Sequence, residues 1–373
     1  MNACAWDKVG RVPFIKEYDM RCIIVRNVNE GLSKALFELV THRVTRDTRN
    51  GPVIAFPYPV FTEYTRPTER VLFSPMRNAN PVFHFMEALW MLAGRRDVDF
   101  PATFVKRMRE YSDDGETLWG AYGYRWRSFF GFDQLSWVVD EMKSNPQTRR
   151  CVITMWNAMH DGVIDKDYIN SDLVVGGRGG KDVPCNTHIY VDTRSERLNM
   201  SVCCRSNDIL WGCYGSNAVH FSMLQEYLAA AVGVPVGRLI QFSNDLHLYA
   251  STVAEHDIVP MALDAHTHNY YEADGSDKIV TTPLLAEGEK FSDFDNDLKS
   301  FFETYDRDGI AGQMARGYRT QFFNFVVAPM LTAWDNRRDP RKALSYAAII
   351  GGSDWRLATK NWITHNFIKE KTT

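Results

Sequence analysis

The chain has 373 residues, 45% of them hydrophobic, with 22 Phe, 16 Tyr and 10 Trp, which is enough to bury a sizeable core in one large domain or two. Its net charge of -3 supplies no global basic field, so bulk binding to nucleic acid or to an anionic membrane is not expected. No apolar run approaches the roughly 18 residues of a membrane span, the N-terminus lacks the apolar core of a signal peptide, and the seven cysteines follow no paired spacing, so reduced thiols in a cytoplasmic compartment are expected.

Residues 28–43 carry apolar residues at helical spacing. Residues 46–64, "RDTRNGPVIAFPYPVFTEY", read as a turn followed by strand-type alternation. "NPVFHFMEALWMLAGR" predicts a helix buried on nearly all sides and ended by Gly94, with Glu87 inside it as an anomaly. Residues 132–150 form an amphipathic helix broken at Asn145-Pro146, and "CVITMWN" is β-rich. Residues 158–183 are a polar excursion. Residues 185–204 give two strands, "THIYVDT" and "RLNMSVCC", joined by a polar turn. "NAVHFSMLQEYLAAAVG" is a helix and "RLIQFSNDLHLYAS" a further strand. After about 265 the chain turns irregular and acidic, and two or three helices close it between about 312 and 370. The pattern is an α/β or α+β core with a C-terminal helical extension.

The Gly-rich "VGGRGGKD" invites a phosphate-loop reading. That loop needs Gly, four residues, then Gly-Lys-Ser/Thr. Here Val175 stands where the first Gly should be and Asp182 follows the lysine, so a surface loop is the better reading. Zinc is not expected either, because no Cys-x-x-Cys is present. "CCRSNDILWGCYGSNAVHF" is more informative. Arg205 and Ser206 end a strand-like run, and an arginine fork beside a hydroxyl suits a phosphate. Cys185 lies twenty residues earlier, directly after a proline, and two paired strands would bring both ends together. Taken alone, Arg205 is more often a surface ion-pair former, and a buried cysteine is usually inert. Asp245, His247 and Tyr249 alternate along a strand and share a face, which alone is more often a hydrated strand face.

Together these pieces resemble the thymidylate synthases and their relatives, the pyrimidine deoxynucleotide hydroxymethylases. Cys185 after proline, Arg205-Ser206, Asp208, Gly212 and Asp245-x-His247-x-Tyr249 carry the resemblance. "DTRNG", "MEALWMLAG", "GAYGYRWR" and "QTRRCVITMWN" extend it, in family order, over about residues 30 to 255. The resemblance implies a mixed, mainly antiparallel sheet flanked by helices, dimerising through a sheet face. It places the catalytic domain at 1–265, with 158–183 as an insertion, and 266–373 as a mainly helical extension packed on the same domain.

It also implies one-carbon transfer from 5,10-methylenetetrahydrofolate to C5 of a pyrimidine nucleoside monophosphate, with no metal. Cys185 matches the thiolate that attacks C6, which makes C5 a carbanion able to capture the methylene group. Arg205, Ser206 and Arg49 match a phosphate grip. Arg149 and Arg150 match a pair that reaches across a homodimer into the partner's site, although an Arg pair alone reads as solvated surface. His247 and Tyr249, beside Asp245, match the holders of the deoxyribose 3′-hydroxyl. Glu87 matches a water-ordering carboxylate, which accounts for an acid in an apolar helix. Tyr122 and Asp208 match groups for proton transfer and for positioning folate or base.

Several positions depart from the synthase pattern. Asn186 and Tyr190 stand where synthases have His and Gln, and Met108 stands near the place of a folate-stacking Trp. The ending "NFIKEKTT" does not match the apolar synthase tail that excludes water. Asn207, where synthases usually have Cys, resembles the hydroxymethylases, in which water adds to the intermediate. The expectation is therefore a dUMP hydroxymethylase, with thymidylate synthase and dCMP hydroxymethylase as alternatives, and a viral origin with a role in DNA modification. Base reading falls to Ser216, or to Asn217 through a one-residue bulge. An amide there suits uracil and a carboxylate would suit cytosine. A nucleotide-binding relative without turnover would need none of Cys185, Glu87 and Asp208. An RNA-binding role lacks a basic aromatic platform.

Overall fold

The computed structural model describes residues 21–48, 50–162, 181–255, 257–263, 270–273 and 278–368. Strand β1 (Arg21–Val25) leads into α1 (Val28–Thr41), which starts where the Asn27 side chain accepts the amides of Asn29 and Glu30. Val28, Leu32, Leu36 and Leu39 recur at helical spacing and are buried. Strands β2 (Val44–Thr48), β3 (Gly51–Ala55) and β4 (Val60–Tyr64) follow. Helix α2 (Pro81–Leu92) is capped by Asn80, has proline in its first turn, and buries 11 of its 12 residues. Helices α3 (Asp99–Phe104) and α4 (Tyr122–Arg127) flank a 3-10 turn over Lys106–Tyr111. Gly123 lets α4 press on α2: a Cβ there would sit 2.0 Å from the Met91 carbonyl oxygen. Helix α5 (Gln134–Ser144) stops at Asn145-Pro146 as expected, and β5 (Val152–Thr154) and α6 (Ala158–Asp161) come next.

Strands β6 (Asn186–Asp192), β7 (Leu198–Cys204) and the two-residue β8 (Asn207–Asp208) precede a π-helical turn (Ile209–Ser216) and α7 (Asn217–Val232). The run expected as one strand over 238–251 is two, β9 (Val236–Ser243) and β10 (Leu246–Tyr249). The chain turns at Asn244-Asp245 because β9 pairs in a six-stranded sheet, ordered β1-β4-β9-β7-β6-β5, and β10 in a four-stranded one, ordered β2-β3-β10-β8. Five of the eight pairings are antiparallel, so the sheets are mixed and mainly antiparallel. One face of the larger sheet buries Val60, Ile189, Met200, Val202 and Leu239. The opposite face carries Phe61, Phe242, His188 and Tyr190, and Tyr190 is 49% exposed. Among the described residues no helix is long and apolar enough to cross a membrane.

Helices α8 (Ala250–Glu255) and α9 (Ile258–Leu263) follow β10. The acidic stretch expected to be irregular is instead the start of α10 (Phe291–Asp308). Its acids conceal a helical stripe of Phe294, Leu298, Phe301 and Phe302, all buried. Helices α11 (Ala311–Ala315), α12 (Ala328–Asp335), α13 (Pro340–Ala348) and α14 (Ser353–Phe367) complete the extension. It shares aromatic packing with the rest of the core: the Phe85 ring lies 4.8 Å from Trp355 and 5.5 Å from Phe322, and Phe100 lies 5.0 Å from Phe302. Buried Asp354 accepts from Thr282 Oγ1 at 2.8 Å and Tyr271 Oη at 3.1 Å, so its charge is partnered across the segment.

A buried ion pair fixes the approach to the site. Arg125 donates to both Asp161 oxygens, at 2.6 and 2.8 Å, with neither side chain exposed. Trp119 Nε1 and the Asn157 amide also donate to Asp161. Asp161→Ala leaves the Arg125 charge buried without its carboxylate, and the expected loss is about 3–5 kcal/mol. Chemical denaturation against the unsubstituted chain checks it.

Candidate active site

Register between β6 and β7 brings the first two predicted residues together. Asn186 pairs with Cys204, and one step further the Arg205 amide donates to the Cys185 carbonyl at 2.9 Å. Arg205 Nε donates to the Pro184 carbonyl at 2.9 Å and Nη2 to that of Val183 at 3.1 Å. Its guanidinium, 5.4 Å from the Trp156 ring, is thereby fixed beside the cysteine. Cys185 is half-buried and its thiol is free of disulfide. Burial raises the thiol pKa, the Asp182 charge adds to that, and Arg205 and a hydrogen bond with Tyr122 oppose it. Burial and the nearby Cys185 hold the Tyr122 hydroxyl well above its ordinary range, so it stays a donor. Ser206 is half-buried next to Arg205.

The parallel pairing of β8 with β10 sets His247 opposite Asp208. Asp208 Oδ1 accepts the Trp211 amide at 2.6 Å. Its other oxygen is buried and finds no hydrogen-bond partner among the described residues. Burial raises this carboxyl's pKa, against the Trp211 amide and the charges of His247 and Arg77. Arg77, which the sequence reading did not single out, is 2% exposed. It donates through Nε to the Leu210 carbonyl at 3.0 Å and lies 4.2 Å from the Trp211 ring. Burial pulls its pKa down to about 10, and Asp208 opposes that shift. Asp245 meets Arg46 at 2.5 Å and His247 Nδ1 at 3.6 Å, and the His247 and Tyr249 rings stand 5.1 Å apart on one face.

Between β8 and α7 the chain runs through the π-helical turn. The Asn217 amide donates to the carbonyl of Gly212, five residues back. Ser216 Oγ is turned to the Trp211 carbonyl at 2.9 Å. Asn217 Nδ2 instead donates to Asn207 Oδ1 at 3.1 Å, and Asn207 Nδ2 donates to Ser243 Oγ at 3.0 Å. The carboxylate of Glu87, 8% exposed, lies 3.0 Å from His220 Nε2, one helical turn after Asn217. Burial, with Arg77 and His220 nearby, lowers the pKa of His84 and keeps that ring neutral.

Asp182, read from the sequence as part of a surface loop, belongs to this cluster. Its Oδ2 accepts the Gly120 amide at 2.8 Å, two residues before Tyr122. Residue spacing carried no signal for it. Met108 is half-buried against the core, while Tyr111 is 39% exposed within electrostatic range of Tyr249 and Asp182. Arg149 and Arg150 are exposed and stand apart. Val152 pairs with Tyr190 and Thr154 with His188, so the arginines lie toward the Asp192 end of β6. Seven strand residues at ~3.3 Å each put them roughly 20 Å from the Cys185 of the same chain. Arg49, most of the 158–183 insertion and the last residues of the chain lie outside the described residues.

A family model described as Thymidylate synthase matches residues 76–260. A deoxyuridylate hydroxymethyltransferase of Pseudomonas phage M6 is 41% identical over 358 residues, covering 92% of this chain and 94% of that protein. Deoxyuridylate hydroxymethyltransferases of Bacillus phage SP01 and Delftia phage PhiW-14 are 37% and 31% identical over 201 and 186 residues, about half of each chain.

The His247–Asp245 contact has a pH signature. Burial disfavours the imidazolium, but the Asp245 hydrogen bond and the charges of Asp208 and Asp245 outweigh it, so the His247 pKa is raised. The Asp245 pKa is lowered, first by the His247 hydrogen bond. Stability linked to His247 is full below the ordinary imidazole value and is lost as pH rises through the raised one. Stability linked to Asp245 is present above the ordinary carboxyl value and is lost as pH falls through the depressed one. Asp245→Asn is expected to lower the His247 titration midpoint, read by NMR of the ring protons.

Proposed function

The chain belongs to the thymidylate synthase family, and we propose that it transfers a hydroxymethyl group from 5,10-methylenetetrahydrofolate to C5 of dUMP. The observation that carries the reaction class is the Cys185 thiol beside the fixed Arg205 guanidinium, with the Tyr122 hydroxyl as hydrogen-bond partner. Near-full-length likeness to the phage M6 deoxyuridylate hydroxymethyltransferase supports hydroxymethyl over methyl transfer.

In this reading the Cys185 thiolate attacks C6, C5 takes the methylene from folate, and water completes the hydroxymethyl group. Arg205, Ser206 and Arg49 hold the 5′-phosphate. His247 and Tyr249 hold the 3′-hydroxyl, and Asp245 fixes the imidazole. Asn217 reads the base, because Ser216 is committed to the Trp211 carbonyl while the Asn217 amide faces the polar row. An amide both donates to O4 and accepts from N3–H, which selects uracil. Glu87, against His220, orders water, and Asp208 positions folate or base and moves protons.

The enzyme works as a homodimer. The half-exposed aromatic face of the larger sheet supports a self-complementary interface. The remoteness of Arg149 and Arg150 from their own Cys185 supports their service to the partner's phosphate site. Residues 266–373 form an extension packed on the catalytic domain, as the contacts of α10 and α14 with Phe85 and Phe100 support. Phage relatives support a virus-encoded enzyme that acts in the host cytoplasm and feeds DNA modification.

Product mass spectrometry after incubation with methylenetetrahydrofolate and, separately, dUMP and dCMP tests the reaction. The expected product is dUMP plus CH2O, with tetrahydrofolate released. A gain of CH2 with dihydrofolate released makes the protein a synthase, and reaction of dCMP alone overturns the reading of Asn217. Cys185→Ala should abolish turnover and keep dUMP binding. Arg149 and Arg150 call for mixed dimers. A chain carrying both Arg→Ala changes and a Cys185→Ala chain are each inactive. Refolded together in equal amounts they should regain about a quarter of wild-type activity, since half the dimers then hold one complete site. Lack of recovery despite mixed-dimer formation places the arginines elsewhere.

A further inference from the structure

Hydroxymethyl transfer consumes one water; Glu87 orders water and Asp208 moves protons at the folate or base, and neither role takes the proton that this water loses. Asp182 stands three residues before Cys185, on the loop whose Val183 and Pro184 carbonyls Arg205 grips. Its Oδ2 accepts the Gly120 amide at 2.8 Å. A Cβ at residue 120 would lie 2.9 Å from Asp182 Oδ1 and 3.0 Å from its Cγ, so the glycine is what admits the carboxyl there. This anchorage sets the group within electrostatic reach of the Cys185 thiol, the Tyr122 hydroxyl, Glu87 and Tyr111. Arg125, already paired with Asp161, and Asp113 are the other charged groups that face it.

The attacking sulfur and the methylene carbon are separated only by C6 and C5. Asp182, three residues from that sulfur on the loop held by Gly120 and Arg205 and within its electrostatic reach, is therefore placed to act on the water at that carbon. Glu87 is engaged by His220 at 3.0 Å, and Asp208 holds the Trp211 amide on the Arg77 side of the site. Burial raises the Asp182 carboxyl to about 6, against the Gly120 amide and the Arg125 charge. It is ionised at neutral pH yet basic enough to take a proton.

We infer that Asp182 is the general base for the water that adds to the methylene carbon, an inference that rests on the hydroxymethyl reading above. The water oxygen bonds to the exocyclic carbon as its proton passes to the Asp182 carboxylate. The electron pair between C5 and the methylene moves toward the C4 carbonyl as an enolate. The enolate collapses to restore the C5–C6 double bond, the C6–S bond breaks, and Cys185 leaves as thiolate. Asp182 then releases its proton to solvent.

Asp182→Asn keeps an oxygen for the Gly120 amide and removes the base. In a single turnover, with enzyme in excess over dUMP tritiated at C5, tritium release reports methylene transfer and C5 deprotonation, both of which precede water addition. The expected variant releases tritium within about threefold of wild type while its hydroxymethyl product falls about a hundredfold. Added 2-mercaptoethanol should then capture the stalled methylene as a thioether on C5. Wild-type product formation should also decline as pH falls through about 6, and the residual rate of the variant should not. Undiminished product, or tritium release falling in parallel with product, overturns the inference. Asp182→Ser takes the place of the amide variant if circular dichroism shows that the latter does not fold. Wild-type protein that makes no hydroxymethyl product removes the parent reading, and the inference falls with it.

Discussion

The hydrogen bond from the Arg205 amide to the Cys185 carbonyl is the constraint on which the site is built. It is the last rung of the β6–β7 ladder, so the register of the two strands decides where the Cys185 thiol stands. A slip of one residue would turn every side chain of β6 to the other face and carry Cys185 away from its cation. The register is held by Ile189, Val191, Met200 and Val202, all buried on the core face. Irregular pairing between Asn186 and His188 turns the strand start just where Pro184 and Cys185 enter. The Arg205 side chain then binds back to Val183 and Pro184, which also fixes the loop carrying Asp182. One pairing thus positions a thiol, a guanidinium and a carboxyl.

Around that rung the core departs from the apolar rule. Asn207, Asn217, Gln241 and Ser243 are all buried where packing alone would favour aliphatic residues. They are tolerated because they partner one another: Asn217 donates to Asn207, and Asn207 donates to Ser243 and Gln241. Arg77 and Asp208 are less completely satisfied, since Arg77 Nη2 and Asp208 Oδ2 are buried without hydrogen-bond partners among the described residues. Such atoms cost stability in an empty site and offer directed polar contacts to whatever fills it. The aromatic contacts of Phe85 with Trp355 and Phe322 anchor α2, the helix that carries Glu87, from the opposite side.

Local pattern and motif order made much of this legible. Helical spacing located α1, α2, α5 and α7, alternation located β6 and β7, and the twenty-residue interval joined Cys185 to Arg205 across a hairpin. The mixed, mainly antiparallel sheet came with the family resemblance. Legibility failed where chemistry and pattern diverge. The acids of "FSDFDND", of which Asp297 is itself buried as the acceptor for Arg319 and Thr320, hid the apolar stripe of α10. The break between β9 and β10 is set by which sheet each strand pairs with, and alternation within the segment cannot show that. Arg77 and Asp182 were missed because long-range contacts with Leu210 and Gly120 place them, and neither contact leaves a trace in spacing. The choice between Ser216 and Asn217 is a question of helical pitch: the π-helical turn sets the Ser216 hydroxyl on backbone and the Asn217 amide on Asn207, an arrangement that supports the proposed reading of the base by Asn217.

In the proposed reaction the charges of the site serve proton traffic. One-carbon transfer with water addition must take a proton from C5, give one to folate nitrogen and take one from water. Carboxyls held above their ordinary range serve this better than ones held below it. Burial pushes both Asp182 and Asp208 upward, one on the Cys185 loop and the other across the site beside His247. Each has a backbone amide pulling the other way, from Gly120 and Trp211, which keeps it able to lose its proton again. Arg205 and Arg77 lie on the same two sides, and Arg205 offsets part of the burial that raises the Cys185 thiol. The Cys185 thiol and the two carboxyls are therefore tuned in one way, burial set against a fixed donor or cation. These groups share one site because β7, β8 and β10 bring their ends together.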